Sequence, residues 1–225
     1  SDRIAQMAAR LEFEPQVEPH FLPDSYGYRP RKSALDAIGV TRERRWDNDW
    51  LIEFDIKGLF DNIPHDLLLK AVEKHTDSAW IRLYVKRWLK APMQMPDGTL
   101  MPRDKGTPQG GVISPILANI FLHEVLDQWF EAEVKPRLRG RAHIVRFADD
   151  AVLLFEREDD AQRVMAVLPK RFGKYGLRLH PEKTRLVPFQ SPQQTGSKPG
   201  TFDLLGFTHH WARSRRGNWI IKRKT

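Results

Sequence analysis

The sequence predicts an α+β fold, an antiparallel sheet with helices on one face. Three observations predict it. Short β-favouring runs recur near residues 50–55, 144–155 and 202–222, segments of helical periodicity separate them, and turn residues such as Asp97-Gly98 and Asp149-Asp150 break the runs into hairpins.

Taken in order, Ile4, Met7, Ala8 and Leu11 fall on one face of a helix, and Ser33 opens a second helix through Ala34, Leu35 and Ile38, beyond the Pro30 breaker. "WLIEFD" alternates Leu51, Glu53 and Asp55 against Trp50, Ile52 and Phe54, a strand that ends on an acid. In "NIPHDLLLKAV", Asp61 or Asn62 is the expected N-cap, with Pro64 in the first turn. Ile81, Tyr84, Val85 and Trp88 follow the i, i+3, i+4, i+7 spacing of an amphipathic helix. "MQMPDGTLM" is an Asp-Gly hairpin. A long helix from Ser114 presents Leu117, Ile120, Phe121 and Val125, and another from Asp159 presents Val164, Val167, Leu168 and Phe172. Residues 190–200 are a polar loop, "FDLLGFTHHW" is a strand, and "RSRRGN" turns the chain into "WIIK".

Among the 225 residues, 37 Lys and Arg stand against 29 Asp and Glu, a net charge of +8 that suits a polyanionic partner, nucleic acid before anionic membrane. No apolar run approaches the roughly 20 residues that span a bilayer, and no signal peptide is evident, so the cytoplasm is the expected compartment. Cysteine is absent, which leaves Asp, Glu and His as metal ligands and favours a hard, oxygen-bound ion. His123, His143, His209 and His210 show no metal spacing. The chain opens on Ser1 and is helical in pattern from its first residues, as expected of a piece cut from a longer chain.

"HIVRFADDAVLLF" sets Asp149 and Asp150 side by side between two apolar runs. Adjacent carboxylates in a partly buried turn repel and raise one another's pKa unless a cation neutralises them, and Mg²⁺ accepts a few carboxylate oxygens together with phosphates. Asp55 ends a separate strand that can lie beside this hairpin, and a strand Asp with a hairpin Asp pair is the ligand set of a two-metal phosphoryl-transfer site. An isolated Asp-Asp is ordinarily no more than a polar turn. The surrounding segments decide against that here.

"SYGYRPRKSALDAI", "FDIKGLFDNIPHDLL", "KGTPQGGVISPILANIFLHEVLD", "RFADDAVLLF", "GLRLHPEKTRLV" and "FDLLGF", in this order, closely resemble the reverse transcriptases encoded by bacterial group II introns, over nearly the whole chain. Phe147 stands where many relatives carry Tyr, a difference of one hydroxyl. The resemblance implies a right-hand polymerase palm with part of the fingers: residues 1–48 as partial fingers and 49–225 as palm, with fingers helices interleaved at about 65–115. The upstream fingers hairpin and the downstream thumb and maturase region would be absent. It implies Asp55, Asp149 and Asp150 as catalytic ligands of two Mg²⁺, with Mn²⁺ as a substitute, converging although nearly a hundred residues separate the first from the pair.

In the same resemblance Phe60 is the gate beneath the sugar of the incoming deoxynucleotide. Ile56, Pro108, Gln109, Gly110 and Lys183 also belong to the nucleotide site, with Gly106 and Gly111 flanking the Pro-Gln pair and Lys183 serving the leaving pyrophosphate. Leu204, Leu205, Gly206 and Phe207 match the hairpin that grips the primer end. Without the resemblance, Phe60 is more readily an ordinary core ring, the glycines a plain connection and Lys183 a solvated lysine. Arg29, Arg31, Lys32, Arg42, Arg44 and Arg45, interleaved with Tyr26, Tyr28 and Trp46, would suit an RNA backbone. The implied partners are an RNA template, intron RNA above all, a DNA primer and deoxynucleoside triphosphates, in a bacterial cytoplasm. An RNA-dependent RNA polymerase and a non-catalytic RNA-binding maturase module are the alternatives. A ring at position 60 argues against the first and the acidic set against the second.

Overall fold

The computed structural model describes residues 2–108, 110–196 and 199–225. The chain runs through α1 (Asp2–Val17), α2 (Ala34–Arg45), β1 (Trp50–Phe54), α3 (Leu59–Asn62), α4 (His65–Glu73), α5 (Ala79–Lys90), β2 (Met93–Gln94), β3 (Leu100–Met101) and α6 (Ser114–Leu122). It continues through β4 (Ala142–Phe147), β5 (Asp150–Phe155), α7 (Glu158–Lys174), β6 (Arg185–Pro188), α8 (Pro192–Thr195), β7 (Phe202–Leu204), β8 (Phe207–Arg213) and β9 (Trp219–Lys224).

β1 lies inside a four-stranded antiparallel sheet of order β4-β5-β1-β6, with Phe54 opposite Ala151 and Glu53 opposite Arg185. Because side chains alternate across a strand, successive residues of β1 serve two cores. Ile52 and Phe54, with Leu153 and Phe155, pack among Leu68, Phe121, Leu168 and Phe172 of α4, α6 and α7. Leu51, with Val152, Leu154 and Val187, packs on the other face among Ala37, Phe189, Phe202 and Trp211. That second face is covered by α2 and by the separate sheet β7-β8-β9. A short extended segment completes the sheet edge: Tyr26 N–H donates to Arg146 O (2.7 Å) and Arg146 N–H to Asp24 O (3.0 Å).

Several local expectations change. On α1 the buried residues are Gln6, Ala9, Phe13 and Val17, whereas Ile4 (77% exposed), Met7 and Leu11 face outward. The core stripe is displaced around the helix from the one the apolar spacing suggests. Leu35 of α2 and Val167 of α7 are likewise exposed. Asp61 and Asn62 are not the cap of α4; they belong to the short α3, and Pro64 precedes α4 without a side-chain cap. Ser33 does cap α2 as expected, in a reciprocal capping box with Asp36. "FDLLGFTHHW" is two strands rather than one, folded back at Leu205 and Gly206, which both take positive φ. The polar loop after residue 190 contains α8. Beyond α6 the helix continues through two π-helical turns, His123–Asp127 and Phe130–Val134. A π turn holds one more residue than an α turn, so it rotates the helix face beyond it.

Candidate active site

Each acid is delivered by a strand end. Asp55 follows β1, and a crossing segment fixes its backbone: His180 N–H donates to Asp55 O (2.8 Å) and Lys57 N–H to Arg178 O (2.8 Å). Asp149 and Asp150 sit where β4 returns as β5, with Phe147 and Asp150 directly paired, so that Ala148 and Asp149 form the whole loop. Ala148 takes φ +56°, a left-handed conformation that costs an alanine roughly 1–2 kcal/mol.

A buried network holds this turn from behind. Arg146, fully buried, donates through Nη1 to Ala148 O (2.9 Å) and to Asn119 Oδ1 (3.0 Å), while Nε and Nη2 make a bidentate pair with Asp127 (2.9 and 2.7 Å). Burial alone would push the Asp127 carboxyl up, but the Arg146 guanidinium overrides it and holds the group below its ordinary value. Asn119 Nδ2 reaches on to Gly27 O (2.6 Å). Gly27 is pressed so close to the turn that a Cβ would lie 2.2 Å from Ala148 N.

The expected convergence of Asp55, Asp149 and Asp150 is present. All three line one cleft of about 510 Å³, together with Glu53, Lys183, Asp203 and the turn at Leu204, Leu205 and Gly206. Asp55 and Asp149 also line a neighbouring cleft of about 720 Å³, with Ile56, Phe60, Pro108, Gly110, Tyr28, Arg3 and Arg10. Burial, and then the charges of Asp149, Asp55 and Glu53, push the Asp150 carboxyl up to about 6, although the Leu205 N–H it accepts (2.6 Å) opposes this. Asp55 Oδ2 instead holds Lys183 Nζ at 2.6 Å, which raises the Lys183 pKa.

Among the described residues no group of three or more Asp, Glu, His or Cys side chains is arranged to hold a metal ion. The donor set nevertheless fits one: it is all carboxylate, it carries more negative charge than Lys183 offsets, and two of its members are engaged by groups that could give way, the Lys183 ammonium and the Leu205 N–H.

The other expected residues divide. Phe60 is half-buried, with its ring against the main core and bordering the larger cleft. Ile56 is buried, lines the larger cleft and is bridged to Leu179. Gln109 lies outside the described residues. Of the three glycines, only Gly110 faces open space. A Cβ on Gly106 would strike Phe60 O at 2.8 Å, and one on Gly111 would strike Ser114 Oγ at 2.8 Å, so those two serve internal packing rather than close approach of a ligand.

The basic cluster is corrected more heavily. Arg45 is buried, bonded to the carbonyls of Asn48 and Phe189 and stacked on Phe189 (4.6 Å) and Trp211 (5.3 Å); burial lowers its pKa to about 10. It is not available to a phosphate. Arg29 is spent on Glu18 (2.8 Å) and the carbonyls of Leu22 and Ser25 (2.6 Å each). Arg44 pairs with Asp24 (3.2 Å), and Lys32 donates to Pro23 O while lying over the buried Tyr26 ring. Arg31 and Arg42 are exposed, as are Tyr28 and Trp46.

Sequence reasoning missed Glu53, Asp203, Arg3 and Arg10 at the clefts, and the Arg146–Asp127 pair behind them. The pair had a signal. A charged residue at an inward position of "HIVRF" and another on the apolar helix that follows Ser114 are costly unless they meet.

A family model described as reverse transcriptase (RNA-dependent DNA polymerase) matches residues 1–209. The chain is 35% identical over 181 residues to the group II intron-encoded protein LtrA of Lactococcus lactis subsp. cremoris, covering 76% of this chain and 30% of that protein. It is 32% identical over 221 residues to protein YkfC of Escherichia coli K12, covering 82% of this chain and 57% of that one. It thus spans between 30% and 57% of the length of these relatives. Among solved structures, apo telomerase from Candida tropicalis, truncated from its C-terminal domain, superposes with a TM-score of 0.71 at 14% identity, over 97% of this chain and 45% of that chain.

Proposed function

The chain belongs to the reverse transcriptase family, and we propose that it forms the palm and part of the fingers of a group II intron-type RNA-directed DNA polymerase. One observation carries the reading: Asp55 and Asp149 stand between two lobes, one lined by Phe60 and Gly110, the other by Asp150 and the Leu205–Gly206 turn. A nucleotide in the first lobe and a primer end in the second would meet at the acids.

In the reaction, the primer 3′-oxygen bonds to the α-phosphorus of a deoxynucleoside triphosphate. The α–β phosphoanhydride bond breaks, pyrophosphate leaves and the 3′-hydroxyl loses its proton. Divalent metal is general in this family; two Mg²⁺, or Mn²⁺, held by Asp55, Asp149 and Asp150, would supply charge neutralisation at the attacking and leaving oxygens. The chain's own groups set the geometry. Arg146 and Asn119 fix the turn that carries Asp149, the Leu205 N–H orients Asp150, the Phe60 ring would exclude a 2′-hydroxyl, and Lys183 is within reach of departing phosphate once it leaves Asp55. Residues 1–48 would serve as fingers and 49–225 as palm, with intron RNA as template, in a bacterial cytoplasm; no helix among the described residues is long and apolar enough to cross a membrane.

The test is primer extension by the intact protein with Mg²⁺, on RNA and DNA templates, with deoxy- or ribonucleotides. Extension on RNA with deoxynucleotides is expected. Preference for ribonucleotides would favour an RNA-dependent RNA polymerase, and RNA binding without any extension a maturase module.

A further inference from the structure

The positive charge of this protein is not spread over it. From Leu204 to Thr225 there are six Lys and Arg and no acid, and the rest of the chain sets 31 cations against 29 anions. Six of the eight surplus positive charges therefore lie in the β8–β9 hairpin. Arg213, Arg215, Arg216, Lys222, Arg223 and Lys224 are all exposed, and among the described residues none of them forms an ion pair, whereas Arg29, Arg44 and Arg146 do.

The hairpin packs on the rest of the chain through its inner face. Trp211 and Ile221, directly paired, are buried against the palm, and Trp211 Nε1 donates to Phe189 O (3.0 Å). Two of its cations are committed to rings, Arg213 over Trp219 (4.7 Å) and Arg223 over Phe207 (5.1 Å). The other four are free to act outward. Lys222, opposite His210, and Lys224, opposite Thr208, share the face away from Trp211, while Arg215 and Arg216 occupy the tip. β8 begins one residue after the Leu205–Gly206 turn whose backbone N–H holds Asp150, and its seven residues reach about 20 Å from there, the span of roughly six phosphates of one strand.

We propose that the β8–β9 hairpin is a rail for the sugar-phosphate backbone of the RNA–DNA hybrid that leaves the active site, with Arg215, Arg216, Lys222 and Lys224 as its phosphate contacts. The choice of the hybrid rests on the polymerase reading, which puts a primer 3′ end beside Asp150. The contacts carry no base readout, so they hold any sequence equally.

The test is the salt dependence of binding by the intact protein, with and without Arg215→Ala, Arg216→Ala, Lys222→Ala and Lys224→Ala combined, to a blunt RNA–DNA hybrid and to a folded RNA with no hybrid end. All four side chains are exposed, so the melting temperature should stay within about 3 °C. Each lost phosphate contact removes about 0.7–0.9 from the slope of log K against log salt, so the hybrid slope should fall by about 3 and its affinity by tenfold or more at moderate salt. The folded RNA should change less than threefold. An unchanged hybrid slope, a loss confined to the folded RNA, or an equal loss on both would overturn the proposal. The tip pair Arg215→Ala and Arg216→Ala alone should give half the effect, and serves if the fourfold variant does not fold. Binding is read without catalysis, so a wild-type protein that extends no primer would sink the polymerase reading and still leave the hairpin measurement decisive.

Discussion

Replacing Asp127 by Asn tests the network behind the turn that carries Asp149 and Asp150. Both partners of the Arg146–Asp127 pair have side chains 1% exposed, so the change strands a guanidinium in the interior. Removing one partner of a buried pair costs about 3–5 kcal/mol. For a chain of this length each kcal/mol moves the melting temperature by about 2–4 °C, so a fall of roughly 6–20 °C is expected in calorimetry. The matched apolar double variant, Asp127→Leu with Arg146→Met, leaves no orphan charge and should recover most of that loss. It should not support primer extension, because without Arg146 the Ala148 O, in its left-handed turn, loses the donor that holds it. A melting shift below 2 °C for Asp127→Asn, or wild-type extension by the double variant, would refute the reasoning.

Other outcomes rest on the same geometry. Asp149→Asn should abolish extension by the intact protein without altering its circular dichroism, and near-normal extension would mean that the acid is misassigned. Phe60→Val should raise ribonucleotide relative to deoxynucleotide incorporation, each tenfold in selectivity corresponding to about 1.4 kcal/mol; a lower melting temperature with unaltered selectivity would make Phe60 a core ring only. His209 is buried and stacked on Phe202 (4.6 Å), neither ring nitrogen has a hydrogen-bond partner among the described residues, and burial, then Arg223 and Arg42, bring its pKa down to about 4. A depressed histidine gives stability that is present above its unfolded value near 6.5 and lost as pH falls toward 4. The melting temperature should therefore drop over that window by more in wild type than in His209→Phe; parallel curves would dismiss the effect.

The features that could be read from the sequence were those with short-range causes. β1, the β4–β5 hairpin, the Ser33 cap and the Asp97-Gly98 turn each arise from neighbouring residues, and the structure shows all four. That Asp55, Asp149 and Asp150 would share one cleft could be read too, because a paired carboxylate between apolar strands needs an explanation that a loop residue does not. The expectations that failed depended on distant partners. Which stripe of α1 is buried is decided by elements packed on it, not by its own periodicity, and Arg45 looked like its neighbours until Phe189, 144 residues away, proved to lie under it. The π-helical turn that ends on Asp127, whose side chain pairs with Arg146 on a different element, left no signal in the local apolar spacing.

The strip from Asp24 to Gly27 has a consequence for how this protein can be divided. It hydrogen-bonds along β4, accepts from Asn119 and closes over the Ala148 backbone at a distance only glycine allows, so the turn that carries Asp149 and Asp150 is completed by residues from the opposite side of the expected boundary at residue 48. Two polypeptides cut at that boundary are therefore not modules but halves. Mixed after separate expression, they should find each other by noncovalent complementation, the short piece ordering the loop of the long one, and neither should hold the acids in place alone.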